Sequence, residues 1–322
     1  MYGEMMHYYG LSKDLDKADY FETDSFKKTL LSLETAIQSG GIIALTGIVG
    51  IGKTTALRRM QESLKASHQV IVSKALATDK RRVNVNTLYT ALFSDLPTTK
   101  DFKIPTQPEK RERKLQELIR KINKPIALFI DEAHDLHWRT LVALKHLVET
   151  VEDAKGILAI IVVGHPKLGN ELCKPAMEEV GARAKVFSLD ALGQQKLHYI
   201  EWVLEKCSKA KVKSHDILTQ EAIELLADRL ITPLQITHYL SLALVKGHTT
   251  GTKPVDRDII ESVLSPDLNA LEPKLARQGY GMAVLCEHLN ARRSDVKAYL
   301  RGQLAAGKTE EFNKKIHKLG IL

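Results

Sequence analysis

The residues best suited to carry chemistry stand in the stretch Gly47-Ile-Val-Gly-Ile-Gly-Lys-Thr54. They fit the spacing G-x-x-x-x-G-K-[ST], in which glycines let backbone N–H groups approach a phosphate closely. A helix that starts at this loop adds the positive end of its dipole. Lys53 is expected to reach the β- and γ-phosphates of a nucleotide, and Thr54 to hold Mg²⁺. The phosphate-cradling positions are Gly47, Val49, Gly50, Ile51 and Gly52.

Two carboxylates form the second candidate group. The apolar run Pro125–Ile130 ends in Asp131 and Glu132. Such a run is typical of a buried parallel strand, and open α/β sheets bind ligands at the carboxyl ends of their strands. Asp131 is therefore expected to hold Mg²⁺, directly or through water, and Glu132 to act as general base on the attacking water.

A histidine follows the third apolar run. Gly156–Gly164 has the pattern of another fully buried strand, and His165 stands at its end. A polar side chain at that tip could contact the γ-phosphate or the attacking water. A structural role in the turn before Pro166 is the alternative.

The elements that must position these residues follow from hydrophobic periodicity. Apolar runs predict strands at 42–46, 69–73, 125–130, 156–164 and, at the sheet edge, 186–189, with helices between them. After Ala191 the pattern is helical, and Thr219 is predicted to cap one helix. The fold class is α/β, with a parallel sheet followed by a small α-helical lid. The predicted division is an N-terminal strap (1–24), a nucleotide-binding domain (25–192), a lid (193–264) and a basic helical extension (265–322).

Composition limits the class of protein. Hydrophobic residues make up 44% and charged residues 27% of 322, which is normal for a globular protein. No apolar run is long enough to span a membrane, and the N-terminus lacks the pattern of a secretory signal. Three widely spaced cysteines argue against a disulfide framework or a cysteine zinc site and suit a reducing cytoplasm. The net charge of +8 favours nucleic acid and ordinary lysine-rich solubility about equally.

Together these motifs resemble AAA+ ATPases. The segment His7-Tyr-Tyr-Gly-Leu11, the helix that follows and Leu45–Thr55 are more narrowly similar to the ExeA/TniB/TnsC branch, which includes MuB-like ATPases that select target DNA for transposases. The resemblance covers about residues 5–246. It implies ATP and Mg²⁺ as ligands of a cytoplasmic, DNA-associated ATPase.

The resemblance also implies roles for single residues. Lys53, Thr54 and Thr55 fall on the Walker A positions, and Asp131 and Glu132 on Walker B. His165 falls on sensor 1. The remaining implied positions are Arg183 as an arginine finger acting on a neighbour's ATP, Lys185 as its alternate, Gln235 at sensor 2 and Lys80, Arg81 and Arg82 along a DNA path. Glutamine replaces the usual sensor-2 arginine, which suits slow, switch-like hydrolysis.

A finger that acts in trans implies a homo-oligomer, as a ring or a helical filament. The resemblance further implies double-stranded DNA, a transposase and a targeting factor as partners, with the 271–322 tail as one surface for the transposase. Three alternatives stay open: an ExeA-like secretion ATPase, a nucleotide-switched protein-binding scaffold, and a helicase, because Asp131–His134 spells DEAH. A helicase needs a second nucleotide-binding core, which the helical pattern after residue 190 does not predict.

Overall fold

The computed structural model describes residues 2–75, 85–96, 103–122, 124–266, 268–318 and 320–321. Contacts divide the chain into two compact units. The helical unit comprises Met1–Lys27, Val49–Gly52 and Asp190–Arg277, and the sheet unit comprises Lys28–Ile48, Lys53–Leu189 and Gln278–Leu322. The predicted boundaries at 24, 192 and 264 stay predictions, because compact units of contact need not coincide with folding domains.

The sheet unit is built on five parallel strands in the order β2-β3-β4-β1-β5. Their bounds are β1 Gly41–Thr46, β2 Ile71–Lys74, β3 Ile126–Ile130, β4 Leu158–Gly164 and β5 Ala184–Ser188. All residues of β3 and β4 are buried, which explains their continuous apolar sequence. The predicted parallel α/β fold is confirmed, and β5 is an edge strand as expected.

Helices alternate with the strands and continue to the end of the chain. In chain order, the α-helices of the described residues are α1 Tyr2–Tyr9, α2 Asp24–Ser39, α3 Lys53–Ser67, α4 Val85–Asp95, α5 Pro108–Ile122, α6 Trp138–Asp153, α7 Pro166–Leu172, α8 Glu178–Gly181, α9 Lys196–Cys207, α10 Gln220–Arg229, α11 Pro233–Thr250, α12 Arg257–Val263, α13 Leu271–Arg277, α14 Met282–Leu289, α15 Arg293–Leu300 and α16 Ala306–Lys318. Within those ranges, every helix is too short or too polar to cross a bilayer.

One core of the sheet unit lies between the sheet and the helices α4, α5 and α6. Leu92, Leu115 and Leu144, one from each helix, are fully buried against apolar residues of the strands. This packing fixes the strands on which the site is built, because any shift between helix and sheet would open voids in a close-packed interior.

The helical unit has its own core, formed by α9 to α12. Thr219 caps α10 as predicted, since its hydroxyl accepts a hydrogen bond from the N–H of Ala222 at 3.3 Å. From residue 190 to residue 318, the described elements are helices and turns with two isolated bridges, one between Leu218 and Val255 and one from Ser208 to Leu11. No second sheet is present in that part of the described chain.

The segment predicted as an N-terminal strap contains a helix that the sequence pattern did not predict. Residues Tyr2–Tyr9 already form α1. Met5 and Tyr9, four residues apart on one helical face, are buried in the core of the helical unit. The Tyr9 hydroxyl also donates to the carbonyl of Thr252 at 2.9 Å. Two apolar contacts in a very short pattern are too weak a sequence signal for a helix, and tertiary packing supplies the stability.

Candidate active site

The order of the strands places three chain segments side by side in the sheet unit. Strand β4 lies between β1 and β3, and Thr46 pairs with Gly164 while Ile130 pairs with Val162. Gly47 and His165 therefore continue two neighbouring strands at the same level, and Asp131 continues the third. The Gly47 N–H still donates to the Gly164 carbonyl, at 3.2 Å. Topology thus gathers residues that are far apart in sequence.

Lys53 is the buried cation of this group. Its side chain stands at the first position of α3, and the residue is only 7% exposed. The ammonium donates to the Gly47 carbonyl at 2.7 Å and the Ile48 carbonyl at 3.0 Å. Burial lowers the pKa of Lys53, while Glu132 and Asp131 act in the opposite direction. The loop carbonyls thus hold the ammonium where phosphate oxygens, as stronger anionic acceptors, could replace them.

Thr54 and Asp131 supply the oxygen atoms for a metal. The Thr54 hydroxyl donates to Asp131 Oδ2 at 3.3 Å. The other carboxylate oxygen accepts the N–H of Glu132 at 2.8 Å, which fixes the orientation of the group. A hydroxyl and a carboxylate that converge in this way are hard oxygen ligands of the kind Mg²⁺ takes together with substrate phosphates. The donor set therefore fits the magnesium predicted from the sequence.

Glu132 has an unusual backbone conformation. Its φ of 57° lies in the left-handed region, which non-glycine residues adopt rarely and at some cost. This turn directs the chain away from β3 just after Asp131 and leaves the Glu132 side chain 34% exposed. A partly exposed carboxylate next to Lys53 is suited to accept a proton from water.

His165 also lies next to Lys53. Its Nδ1 is 3.4 Å from the lysine ammonium. Burial, helped by His134 and Lys53, lowers the pKa of His165 to about 4. The ring is therefore neutral near pH 7 and can offer both a donor and an acceptor to a phosphate or a water molecule.

The structure places a second histidine, His134, beside His165. It lies in a short 3₁₀ turn, Ala133–Asp135, with its ring centroid 3.8 Å from that of His165. Its Nε2 is 3.8 Å from Glu132 Oε2. The signal in the sequence was a histidine two residues after the second acid, but only the neighbouring strand β4 shows what that histidine meets.

Two glycines of the loop, Gly50 and Gly52, are each required by their backbone conformation and by a different neighbour in the helical unit. Gly50 has φ of 81°, and a Cβ there would lie 2.7 Å from Cβ of Leu234 at the start of α11. Its carbonyl accepts the N–H of Leu234 at 3.2 Å. Gly52 has φ of 100°, and a Cβ there would approach the ring of Tyr20 at 3.4 Å. Both positions thus combine a left-handed backbone with close neighbours.

Other loop positions differ in exposure and bonding. Ile51 is buried, whereas Thr54 and Thr55 on α3 are exposed. The Val49 N–H donates to the Arg277 carbonyl at 2.9 Å, so this amide must change partner if it is to bind a phosphate.

Gln235, the residue at the sensor-2 position, takes part in a helix cap. Its side-chain oxygen accepts the N–H groups of Ile231 at 3.1 Å and Thr232 at 3.2 Å. In return, the Thr232 hydroxyl accepts the N–H of Gln235 at 3.3 Å, which completes a capping box at the start of α11. Contact between Gln235 and a nucleotide stays a prediction.

Arg183 lies at the opposite end of the sheet. Ala184 pairs with Ile42, so Arg183 is level with Gly41, six residues before Gly47 along β1. Six residues of strand span about 20 Å at about 3.3 Å each. Arg183 donates to Glu149 Oε1 at 2.7 Å, and Lys185 is exposed on β5. Arg183 cannot reach the group around Lys53 of its own chain. The predicted DNA-contacting residues Lys80, Arg81 and Arg82 lie outside the described residues.

Comparisons with known proteins agree with this geometry. Residues 36–172 match a family model described as "AAA domain". General secretion pathway protein A of Aeromonas hydrophila is 26% identical over 164 residues, which are 48% of this chain but only 28% of that protein.

Two solved structures resemble the whole chain. Cdc6p from Pyrobaculum aerophilum has a TM-score of 0.54 at 14% identity and covers 95% of this chain and 84% of its own. Drosophila ORC bound to DNA also has a TM-score of 0.54, at 13% identity, and covers 100% of this chain and 79% of its own. At these identities the likeness shows the fold. The segment that is similar to an AAA domain, residues 36–172, contains both the loop and the acid pair.

Proposed function

We propose that this chain is a slow, magnesium-dependent ATPase that uses ATP to assemble on double-stranded DNA and to recruit or activate a transposase. The observation that carries the proposal is the group formed by Lys53, Thr54, Asp131, Glu132 and His165 at the carboxyl ends of three adjacent strands. It contains each kind of group that hydrolysis of a phosphoanhydride needs: a buried cation, oxygen ligands for Mg²⁺ and a carboxylate base.

Each side chain then has one task. Lys53 binds the β- and γ-phosphates in place of the Gly47 and Ile48 carbonyls, and His165 hydrogen bonds to the γ-phosphate or the attacking water. Glu132 accepts the proton of that water. Thr54 and Asp131 would hold Mg²⁺, which would supply positive charge opposite the phosphates. Arg183 of a neighbouring subunit completes the charge stabilisation, since its own chain places it about 20 Å away.

DNA as partner is supported by three observations. The net charge is +8, the ATPase motifs resemble those of target-selecting transposition ATPases, and the fold is that of a protein solved bound to DNA. Binding through phosphates depends on charge and little on sequence, so the affinity should fall steeply with salt. Hydrolysis then loosens the subunit interface and releases the DNA.

The test is DNA binding by the purified chain without nucleotide, with ADP and with a non-hydrolysable ATP analogue. Random-sequence duplex is titrated at several salt concentrations, and the mixtures are imaged by negative-stain electron microscopy. Analogue-dependent rings or filaments on DNA support the proposal. Absence of DNA binding in all three nucleotide states contradicts it.

A second candidate is an ATPase that acts on proteins and not on DNA. The match to General secretion pathway protein A favours it, since the name of that relative refers to secretion and not to DNA. This candidate predicts nucleotide-dependent assembly that added duplex neither stimulates nor stabilises. The same titration therefore separates the two. A translocating helicase gains no support, because the described residues after 190 contain no second sheet.

A further inference from the structure

Three side chains near the acid pair could bind one metal ion. Glu132, His134 and His165 each offer one ligand atom, and these atoms all lie within 4.8 Å of one another. They come from the end of β3, the 3₁₀ turn that follows it and the end of β4. The proposed hydrolysis uses Glu132 and His165 but gives His134 no task.

We propose that Glu132, His134 and His165 form an inhibitory site for a divalent transition metal, with Zn²⁺ as the best-fitting ion. One carboxylate and two imidazoles, with a fourth position open to water, are a ligand set that Zn²⁺ takes in three-ligand sites. The set does not suit Mg²⁺, which prefers oxygen ligands. The proposal rests on the proposed ATPase function, because it describes how the same residues are withdrawn from it.

The distances allow closure by side-chain rotation. Glu132 Oε2 is 3.8 Å from His134 Nε2, and the ligand atoms of all three residues lie within 4.8 Å of one another. Ligand atoms at about 2.0–2.1 Å from a tetrahedral zinc lie about 3.4 Å from each other. An inward movement of about 1 Å by partly exposed side chains therefore completes the site.

The surroundings of His165 leave one ring nitrogen for the metal. Its Nδ1 faces Lys53, and the ring also hydrogen bonds to the backbone of Gly47. A ligating histidine usually donates its other N–H to a carbonyl or carboxylate, which fixes the ring. The neutral ring carries one lone pair, so the metal takes the tautomer that directs this lone pair towards Glu132 and His134.

Metal binding has a direct consequence for hydrolysis. Glu132 cannot accept a proton from water while its carboxylate ligates the ion, and His165 loses a nitrogen for the phosphate. Lys53, Thr54 and Asp131 are not ligands of this site. Zinc should therefore lower turnover while magnesium remains in place.

The first experiment measures binding without any ATPase assay. The full chain, free of nucleotide, is titrated with Co²⁺ alone, and absorption of the tetrahedral ion is recorded before competition with Zn²⁺. We expect one strong site per chain. His134→Asn should weaken it at least about 100-fold, since even the loss of an outer hydrogen-bond partner of a ligand costs about 10–100-fold. His238→Asn, which changes an exposed histidine on α11, is the matched control and should bind as the wild type does.

Two results overturn the proposal: no tetrahedral Co²⁺ spectrum in the wild type, or the same affinity in the wild type and in His134→Asn. If the circular-dichroism spectrum shows that His134→Asn is not folded, His165→Asn takes its place. A Co²⁺ affinity of His165→Asn equal to that of the wild type also overturns the proposal.

The second experiment measures ATP turnover in excess Mg²⁺ with added Zn²⁺. The wild type and His238→Asn should be inhibited and then restored by a zinc-selective chelator, whereas His134→Asn should keep its turnover and resist zinc. Equal inhibition of all three proteins overturns the regulatory role. Absence of turnover in every protein contradicts the proposed function, while the Co²⁺ titration still decides whether the metal site exists.

Discussion

Two charged regions of the sheet unit differ in how firmly they are held. The edge cluster, defined as Lys53, Asp131, Glu132 and His165, is assembled at the carboxyl ends of β1, β3 and β4 and includes a lysine that is 7% exposed. The Arg183–Glu149 pair lies at the opposite end of the sheet, with side chains 60% and 35% exposed. The first region depends on the packed core, whereas the second is a surface ion pair.

This difference bears on what each region can do. In the edge cluster, backbone carbonyls and N–H groups orient the side chains, so little must be reorganised when a ligand binds. An exposed ion pair contributes about 0–1 kcal/mol and exchanges partners easily. The edge cluster is thus suited to bind a nucleotide with groups of a single chain. Arg183, by contrast, is suited to exchange Glu149 for an anion on a neighbouring subunit.

Removing the base should have the largest effect. Glu132→Gln is expected to reduce turnover by about 10²–10⁴-fold, the range of general-base catalysis, because an amide cannot accept the proton. Nucleotide binding should persist, and the ATP-bound assembly should stay on DNA longer. Phosphate release and DNA dissociation measure the two effects, with exposed Glu152→Gln on α6 as control. Release of DNA as fast as from the wild type contradicts hydrolysis as the releasing step.

Removing the distant cation tests action in trans. Arg183→Ala should lower turnover by about 10²–10³-fold, the cost of deleting one donor to developing charge, and should leave nucleotide affinity intact. Mixing this variant with Glu132→Gln should restore part of the turnover, since one chain supplies the base and the other the arginine. Wild-type turnover in Arg183→Ala alone excludes the finger assignment.

Removing the buried cation tests binding. Lys53→Ala should weaken ATP binding by about 10–150-fold, which corresponds to about 1.5–3 kcal/mol for a hydrogen bond to a charged group. A fluorescent nucleotide titration measures the affinity. Lys65→Ala changes an exposed lysine on the same helix, α3, and should bind like the wild type. Equal affinity in all three proteins refutes the phosphate-binding role.

The smallest effect is expected from the partner of Arg183. Glu149→Gln should raise turnover by less than about 5-fold, because breaking an exposed ion pair releases at most about 1 kcal/mol. Moderate salt screens the ion pair, so it should raise the turnover of the wild type to a similar extent and leave the turnover of the variant unchanged. A large loss of turnover would show that Glu149 holds Arg183 in its working position, and the contrast between the two regions would then be false.

Much of this architecture could be predicted from the sequence. Continuous apolar runs predicted β3 and β4, because a strand buried on both faces admits few polar residues. The glycine spacing predicted the loop, since Gly50 and Gly52 both need a left-handed backbone. Helix α1 could not be predicted, as its stability comes from Met5 and Tyr9 packing in a core built from residues about 200 positions later.

The sequence by itself determined which chemical groups are present and at the end of which strand each group stands. It could not determine which of these groups come into contact. The insertion of β4 between β1 and β3 brings His165 to Lys53 and His134 to His165, and the register of β5 separates Arg183 from its own edge cluster. The capping box of Thr232 and Gln235, by contrast, is local, because its members stand three residues apart in the T-x-x-Q pattern of a helix start. Local patterns follow from the chain, whereas non-local pairings depend on strand order and register, which the tertiary structure alone decides.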